Sequence, residues 1–209
     1  VGAATSKDLM VWEKISSEAM VAADPKYYEM LDYSKWHDQA WRDPWVFKHT
    51  DGLWHMFITA RVADDSLDPK DRGTVGHATS TDLRNWSVQA PAITKTPSSF
   101  GQLEVFQVEE IDGVPVLLWC CGVNELSDDA KARYGEGGMF SVIGDSKLGP
   151  FDPNKAVRFD HPSIYAARIV KHQDDWYMIG FRGDEDGKFV GELTDPIKVK
   201  LEGNGLVPA

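Results

Sequence analysis

Val1-Gly2-Ala3-Ala4-Thr5-Ser6-Lys7-Asp8-Leu9-Met10-Val11-Trp12 recurs 74 positions later as Val75-Gly76-His77-Ala78-Thr79-Ser80-Thr81-Asp82-Leu83-Arg84-Asn85-Trp86, with eight of the twelve residues identical. In the second copy the shared stretch follows an element of about thirty-five residues, which opens at Trp41-Arg42-Asp43-Pro44 and runs through Trp54-His55-Met56-Phe57. The first copy has no such element before it. The spacing therefore predicts that Val1 lies in mid-repeat and that the chain is the C-terminal part of a longer protein.

The recurring unit is an alternating apolar strand, an Asp-Gly-like turn and an aromatic strand, the pattern of an antiparallel hairpin. Trp45-Val46-Phe47, Asp51-Gly52 and Trp54-His55-Met56-Phe57-Ile58 display it once. Val105-Phe106-Gln107-Val108, Asp112-Gly113 and Val116-Leu117-Leu118-Trp119 repeat it. Ala167-Arg168-Ile169-Val170, Asp174-Asp175 and Trp176-Tyr177-Met178-Ile179 repeat it again. Further strands are expected over 75–79, 138–143 and 189–193, each ending in a turn: Ser80-Thr81-Asp82-Leu83, Asp145-Ser146-Lys147-Leu148-Gly149-Pro150 and Thr194-Asp195-Pro196. Asp and Ser oxygens accept the backbone amides that follow them, which ends one strand and starts the outer one.

Three four-stranded antiparallel units with a leading half-unit predict an all-β fold, a β-propeller present here as about three and a half blades. One incomplete domain over 1–209 is expected, made of the end of one blade with a loop insertion (1–38) and blades over 39–100, 101–160 and 161–209. Tyr27, Tyr28, Tyr33, Trp36 and His37 break the periodicity and mark the insertion; residues 124–136 read as helical, and Arg61 to Arg72 as an exposed acidic loop. An open ring exposes apolar blade faces and an unpaired edge. Upstream blades of the parent protein, or a second chain, are expected to close it.

Hydrophobic content of 42% and charged content of 26%, with eight Trp and eighteen Gly, suit a turn-rich globular chain. Twenty-two basic against thirty-three acidic residues give a net charge of -11. That balance opposes nucleic-acid binding, which needs Lys and Arg to displace counterions. No stretch approaches eighteen uninterrupted apolar residues, so no membrane helix is expected. Cys120 and Cys121 are adjacent and read as buried thiols rather than a bridge between distant elements. No metal-ligand spacing such as His-Glu-x-x-His, no Gly-x-Ser-x-Gly elbow and no Walker-type loop occurs, and neither a metal nor a cofactor is expected.

The order of Trp41-Arg42-Asp43-Pro44, Leu103-Glu104-Val105 and Ile164-Tyr165-Ala166 resembles glycoside hydrolase family 32, the β-fructosidases such as invertase, levanase and inulinase. That family shares a five-bladed propeller with related clans, including family 43 arabinanases and xylosidases. The resemblance covers nearly the whole chain. It implies a carbohydrate substrate, Glu104 as general acid/base and Asp43 as a transition-state stabiliser that grips two sugar hydroxyls. By it Val1 falls near the end of blade two. Glu104 is followed by Val105-Phe106 where the family has Cys-Pro, and Ser163 stands where it commonly has Asp. No Asn-Asp-Pro-Asn-Gly motif occurs, so the nucleophile is expected upstream of Val1.

Glycosidic cleavage passes through an oxocarbenium-like state and needs one carboxylic acid to protonate the leaving oxygen while another carboxylate attacks or activates water. The apolar run around Glu104 is expected to bury it and keep it protonated, and simple alternation would place Gln102, Glu104 and Phe106 on one strand face. Arg42 can hold Asp43 ionised and is itself a candidate substrate-binding residue. Trp36, Trp41 and Trp45 are candidate platforms for a sugar ring, with Tyr165 at the rim and His37 and Asp38 near the same funnel. Trp12, Trp54, Trp86 and Trp176 occupy repeat-equivalent positions and are assigned to blade packing. Three function classes fit these residues: a retaining β-fructosidase-like enzyme, an inverting family 43-like enzyme, and a non-catalytic sugar-binding or assembly module. The first two differ in carboxyl separation, ~5–5.5 Å against ~6.5–9.5 Å.

Overall fold

The computed structural model describes residues 1–92, 97–185 and 187–209. Its first two strands, β1 (Ala4–Thr5) and β2 (Glu13–Lys14), form a small antiparallel hairpin. A four-stranded antiparallel sheet follows, in the order β3 (Arg42–Lys48), β4 (Trp54–Arg61), β5 (Gly73–Ser80) and β6 (Trp86–Gln89). The duplicated stretch folds the same way twice. Ala4 pairs with Lys14 and Thr5 with Glu13, and 74 residues on Ala78 pairs with Val88 and Thr79 with Ser87.

The turn between the paired strands is built from its own side chains. Ser6 and Ser80 Oγ accept the amides of Leu9 and Leu83 at 2.8 and 3.0 Å. Asp8 Oδ1 accepts from Met10 and Val11, and Asp82 Oδ1 from Arg84 and Asn85. The indoles of Trp12 and Trp86 donate to the Leu9 and Leu83 carbonyls, each at 3.2 Å, and both leucines have φ of 63°. The amides of Asn85 and Arg84 hold the Asp82 carboxyl far below its usual range.

The second sheet is β7 (Glu104–Ile111), β8 (Val114–Cys121), β9 (Gly138–Ile143) and β10 (Val157–Arg158), with the helix α1 (Asp128–Tyr134) between β8 and β9. Ser127 caps α1 by accepting the Ala130 amide, so the helical reading of this segment holds for 128–134. The third sheet contains β11 (Ile164–His172), β12 (Asp175–Glu185), β13 (Lys188–Leu193), β14 (Ile197–Glu202) and β15 (Gly205–Pro208). Here the turn Thr194-Asp195-Pro196 does not start an outer strand. Thr194 ties back to Gly180 through both its amide and its hydroxyl, Pro196 lacks an amide, and the chain rejoins the same edge of β12 as β14.

The sheets stack as blades because their faces are apolar on both sides. Along β8, Leu117, Trp119 and Cys121 enter a core shared with Phe47, Phe57 and Val75 of the first sheet. The alternate residues Val116, Leu118 and Cys120 enter a second core with Ile169, Met178 and Leu206 of the third. A smaller cluster of Val21, Met56, Ile58 and Ala78 seats the leading segment on the first sheet. The result is an all-β partial propeller, in which β7 packs against β3 and β4, and β11 against β7, β8 and β9. Both cysteines are free and buried, and burial, then the Glu104 charge, push the Cys120 thiol up to about 12. Among the described residues, no helix is long and apolar enough to cross a membrane.

Two expectations are corrected. The loop from Arg61 to Arg72 is exposed only in its middle: Arg61 and Arg72 are 1% and 5% exposed and share Glu29, which brings the 24–39 insertion over them. Buried guanidinium groups need such a counter-charge. Trp12 is 57% exposed, and its indole donates within its own turn.

Trp119 is fully buried between the first two sheets, against Phe100 and Phe140. Trp119→Ala is expected to lower stability by about 3–5 kcal/mol in urea unfolding. A loss under about 1 kcal/mol would mean that this interface does not carry the fold.

Candidate active site

Each innermost strand breaks its ladder in the same place. Register shifts fall between Arg42 and Trp45 in β3, between Glu104 and Gln107 in β7, and between Tyr165 and Arg168 in β11. Within each break the second residue has left-handed backbone: Asp43 (φ 54°), Val105 (55°) and Ala166 (47°). Asp tolerates this region, whereas for a β-branched Val it is strain on the order of 1–3 kcal/mol. The bulge turns the first residue of each strand away from the alternation that follows. Phe106 and Val108 consequently enter the core, and the expected shared face of Gln102, Glu104 and Phe106 is not formed.

The three residues released by the bulges meet. Arg42 Nη2 donates to Glu104 Oε1 at 2.6 Å, and Tyr165 Oη donates to Glu104 Oε2. Arg42 also donates to Gln102 Oε1, and its guanidinium lies 3.5 Å from Asp43 Oδ2 and 3.3 Å from Asp38 Oδ2. Thr59 donates to Asp43 at 3.3 Å, and Gln102 donates to Asp38 at 3.0 Å. Glu104 is thus half-enclosed, with 15% of its side chain exposed. A cation and a phenol face its carboxylate, in place of the apolar surroundings expected from Leu103 and Phe106.

Burial lowers the Arg42 pKa, but the hydrogen bond to Glu104 and the charges of Asp38, Glu104 and Asp43 outweigh it and raise it overall. Burial first, then Cys120 and Glu104, push the Tyr165 phenol far above its usual range, so it remains a donor. A fourth carboxyl, Glu125, stands nearby. Burial, reinforced by the Glu104 charge, raises its pKa; Oε1 is 3.5 Å from His37 Nε2, and Oε2 is buried with no hydrogen-bond partner.

Arg42, Asp43, Glu104 and Tyr165 are therefore brought together, with His37 and Asp38 beside them. The tryptophans are not. Trp36 is 8% exposed, with the Arg61 guanidinium 3.7 Å from its ring centroid, and a Cβ at Gly101 would lie 2.5 Å from the ring. Trp41 packs tilted against Tyr28 at 4.8 Å and donates to the Val21 carbonyl at 2.9 Å, in the cluster behind the first sheet. Trp45 lies under Arg168 at 5.2 Å. Arg168 and Glu125 are members that sequence reading missed. Arg168 donates to the Val105 and Phe106 carbonyls at 2.7 and 2.9 Å, pinning the bulge of the neighbouring strand. A groove lined by Gly138, Ile164, Tyr165 and Phe181 opens beside the phenol.

Radially stacked antiparallel sheets with a guanidinium and carboxylates at the inner strand starts define a partial β-propeller with an acidic centre. The model of the Glycosyl hydrolases family 32 N-terminal domain matches residues 2–190, and the chain belongs to that family. Solved structures with the same fold include the inulosucrase of Halalkalicoccus jeotgali bound to kestose, at 18% identity and a TM-score of 0.72, covering 98% of this chain and 59% of that one. The GH32 β-fructofuranosidase of Bombyx mori is 19% identical with a TM-score of 0.70, covering 96% and 41%. The sucrose-6-phosphate hydrolase of Lactobacillus gasseri is 18% identical with a TM-score of 0.70, covering 98% and 41%. The chain spans less than two thirds of the length of each. No curated protein matches it by sequence.

The raised Glu125 pKa has a definite sign. A carboxyl that is more basic folded than unfolded contributes stability below its unfolded value and loses it as pH rises through the folded value. Glu125→Gln should therefore unfold at higher urea than the parent chain at neutral pH, and the gap should close as pH falls through the raised folded value and be gone by the ordinary value of 4.5. A gap of constant size from acid to neutral pH would contradict the burial of an ionisable group here.

Proposed function

We propose that this chain is the acid/base-bearing part of a retaining β-fructosidase-like glycoside hydrolase, acting on the O-glycosidic bond of a fructoside. The observation that carries the reading is the convergence of Arg42, Glu104 and Tyr165 from three successive inner strands, next to Asp43. Glu104 is the general acid that protonates the leaving oxygen and then the base that activates water. Arg42 and Tyr165 fix the orientation of its carboxylate, which confines proton transfer to one direction. Asp43, held by Arg42 and Thr59, accepts hydrogen bonds from sugar hydroxyls and grips them harder as charge develops in the ring. Neither Trp36 nor Trp41 is a platform in this reading, because Trp36 is buried against Arg61 and Trp41 packs against Tyr28 and donates to the Val21 carbonyl.

The carboxylate nucleophile is assigned in this reading to a blade upstream of Val1, which is supported by the absence of an Asn-Asp-Pro-Asn-Gly motif from the chain. Val1 to Trp12 is then the end of the second of five blades. Exposed apolar side chains at the two outer sheets, Leu9, Met10 and Val11 on one and Phe189 and Leu193 on the other, support closure of the ring by further blades or a second chain. A fructoside substrate is supported by the family and by the kestose bound to the inulosucrase of Halalkalicoccus jeotgali.

In the complete protein, Glu104→Gln is expected to lower turnover by roughly 100-fold or more, and Asp43→Asn to weaken transition-state binding so that kcat falls more than KM changes. Wild-type rates in either variant would remove that residue from the site. The first-formed sugar should retain its anomeric configuration by NMR; inversion would move the protein to the family 43 type of chemistry. The isolated 209-residue chain should bind sugar weakly and hydrolyse neither sucrose nor a nitrophenyl fructoside. Turnover by the chain alone would show that the nucleophile is not missing.

A further inference from the structure

The turn joining β3 to β4 gathers side chains that the proposed chemistry does not use. Among the described residues, one ligand atom each from His49, Asp51 and His55 lies within 4.8 Å of the other two. His55 Nε2 is 3.0 Å from Asp51 Oδ2, and His49 Nδ1 is 3.5 Å from Asp51 Oδ1. Tetrahedral zinc sites, with bonds of about 2.0–2.2 Å, put neighbouring ligand atoms about 3.4 Å apart. The present spacing is within a side-chain adjustment of that value.

The surroundings hold these groups in place. The His49 amide donates to the Leu53 carbonyl across the turn at 3.0 Å, and Asp51 Oδ1 accepts the Leu53 amide at 2.9 Å. His55 is 3% exposed and stacks on Phe47 at 5.6 Å. Its other nitrogen, Nδ1, lies 2.8 Å from His77 Nε2 on the adjacent strand β5. Such an outer partner fixes the ring orientation and tautomer of a metal-bound imidazole. A proton on His55 Nδ1, donated to His77, leaves the Nε2 lone pair free for an ion. His49 is partly exposed and Asp51 is exposed, so the site opens to solvent and leaves room for water as a fourth ligand.

We propose that His49, Asp51 and His55 form a site for a divalent transition-metal ion of the zinc class, with His77 as its outer partner. Two imidazoles and one carboxylate suit zinc or its neighbours better than calcium or magnesium, which favour all-oxygen shells. The site lies at the turn end of β3, whereas Arg42 and Asp43 lie at the other. Six residue steps along a strand separate the two ends by about 20 Å. The ion therefore clasps the β3–β4 turn to β5 and takes no part in sugar chemistry.

The test titrates the metal-free 209-residue chain with Zn2+ by calorimetry and with Co2+ by visible absorption, and follows thermal unfolding. One equivalent should bind, Co2+ should give the intense bands of tetrahedral coordination, and Tm should rise until the site is full. His49→Ala and Asp51→Asn lie in the turn outside the core, and each should weaken binding at least tenfold while leaving the metal-free Tm nearly unchanged. His77→Gln should weaken it by roughly 10–100-fold. Absence of stoichiometric binding, or binding that persists unchanged in the His49→Ala, Asp51→Asn double variant, would overturn the proposal and leave Asp51, His55 and His77 as a hydrogen-bond chain only.

Discussion

Left-handed backbone at Asp43, Val105 and Ala166 is the constraint from which the rest of the centre follows. A regular strand would alternate its side chains between the two blade faces, and every inner-strand residue would be buried between sheets. One extra residue per strand cancels that alternation once and frees a single side chain at each strand start. Strain of this kind persists only where neighbours over-determine it. Here Arg168 holds the Val105 and Phe106 carbonyls, and Gln107 exchanges two hydrogen bonds with the Ile169 backbone. The β7 bulge is thus braced by β11.

The freed side chains place one cation among several acids. Arg42 faces Asp38, Asp43 and Glu104, with Glu125 a little further out. Its planar fork can serve two carboxylates and an amide at fixed angles, which a lysine ammonium could not do. Beneath it a second guanidinium, Arg61, stacks on Trp36, donates to the Gly101 carbonyl and pairs with Glu29. That lower layer sets the height of Gln102, which in turn touches both Arg42 and Asp38. Positioning in this centre is done mainly by charged hydrogen bonds, and apolar contact supplies the walls around it.

Much of the fold is legible in the sequence because the repeated turn is self-contained: Ser, Asp, Leu and Trp at fixed offsets satisfy one another without help from elsewhere. Arg42, Asp43 and Glu104 are legible through the order of their motifs. Strand parity is not, since nothing in Leu103-Glu104-Val105-Phe106 announces a bulge at a β-branched residue. Trp36 and Trp41 look like sugar platforms in one dimension, and only the approach of Arg61, Gly101 and Tyr28 decides otherwise. Glu125 lies in a short helical turn between β8 and α1, where no local pattern distinguishes a buried acid from a solvated one. Arg168 reads as an ordinary strand arginine until its partner strand is known.

The self-contained turns and the centre also differ in how much chain they must organise. A hairpin turn such as Ser80 to Trp86 closes over a few residues, whereas Arg42 to Glu104 and Glu104 to Tyr165 close over 62 and 61. Loop-closure entropy makes each long closure costlier by ~2 kcal/mol than a turn-sized one. Every blade can therefore hold its hairpins while the separation between blades still fluctuates. The Glu104 carboxylate, gripped from two neighbouring blades at once, is a gauge of that separation, and it registers a loosened ring before any single sheet does.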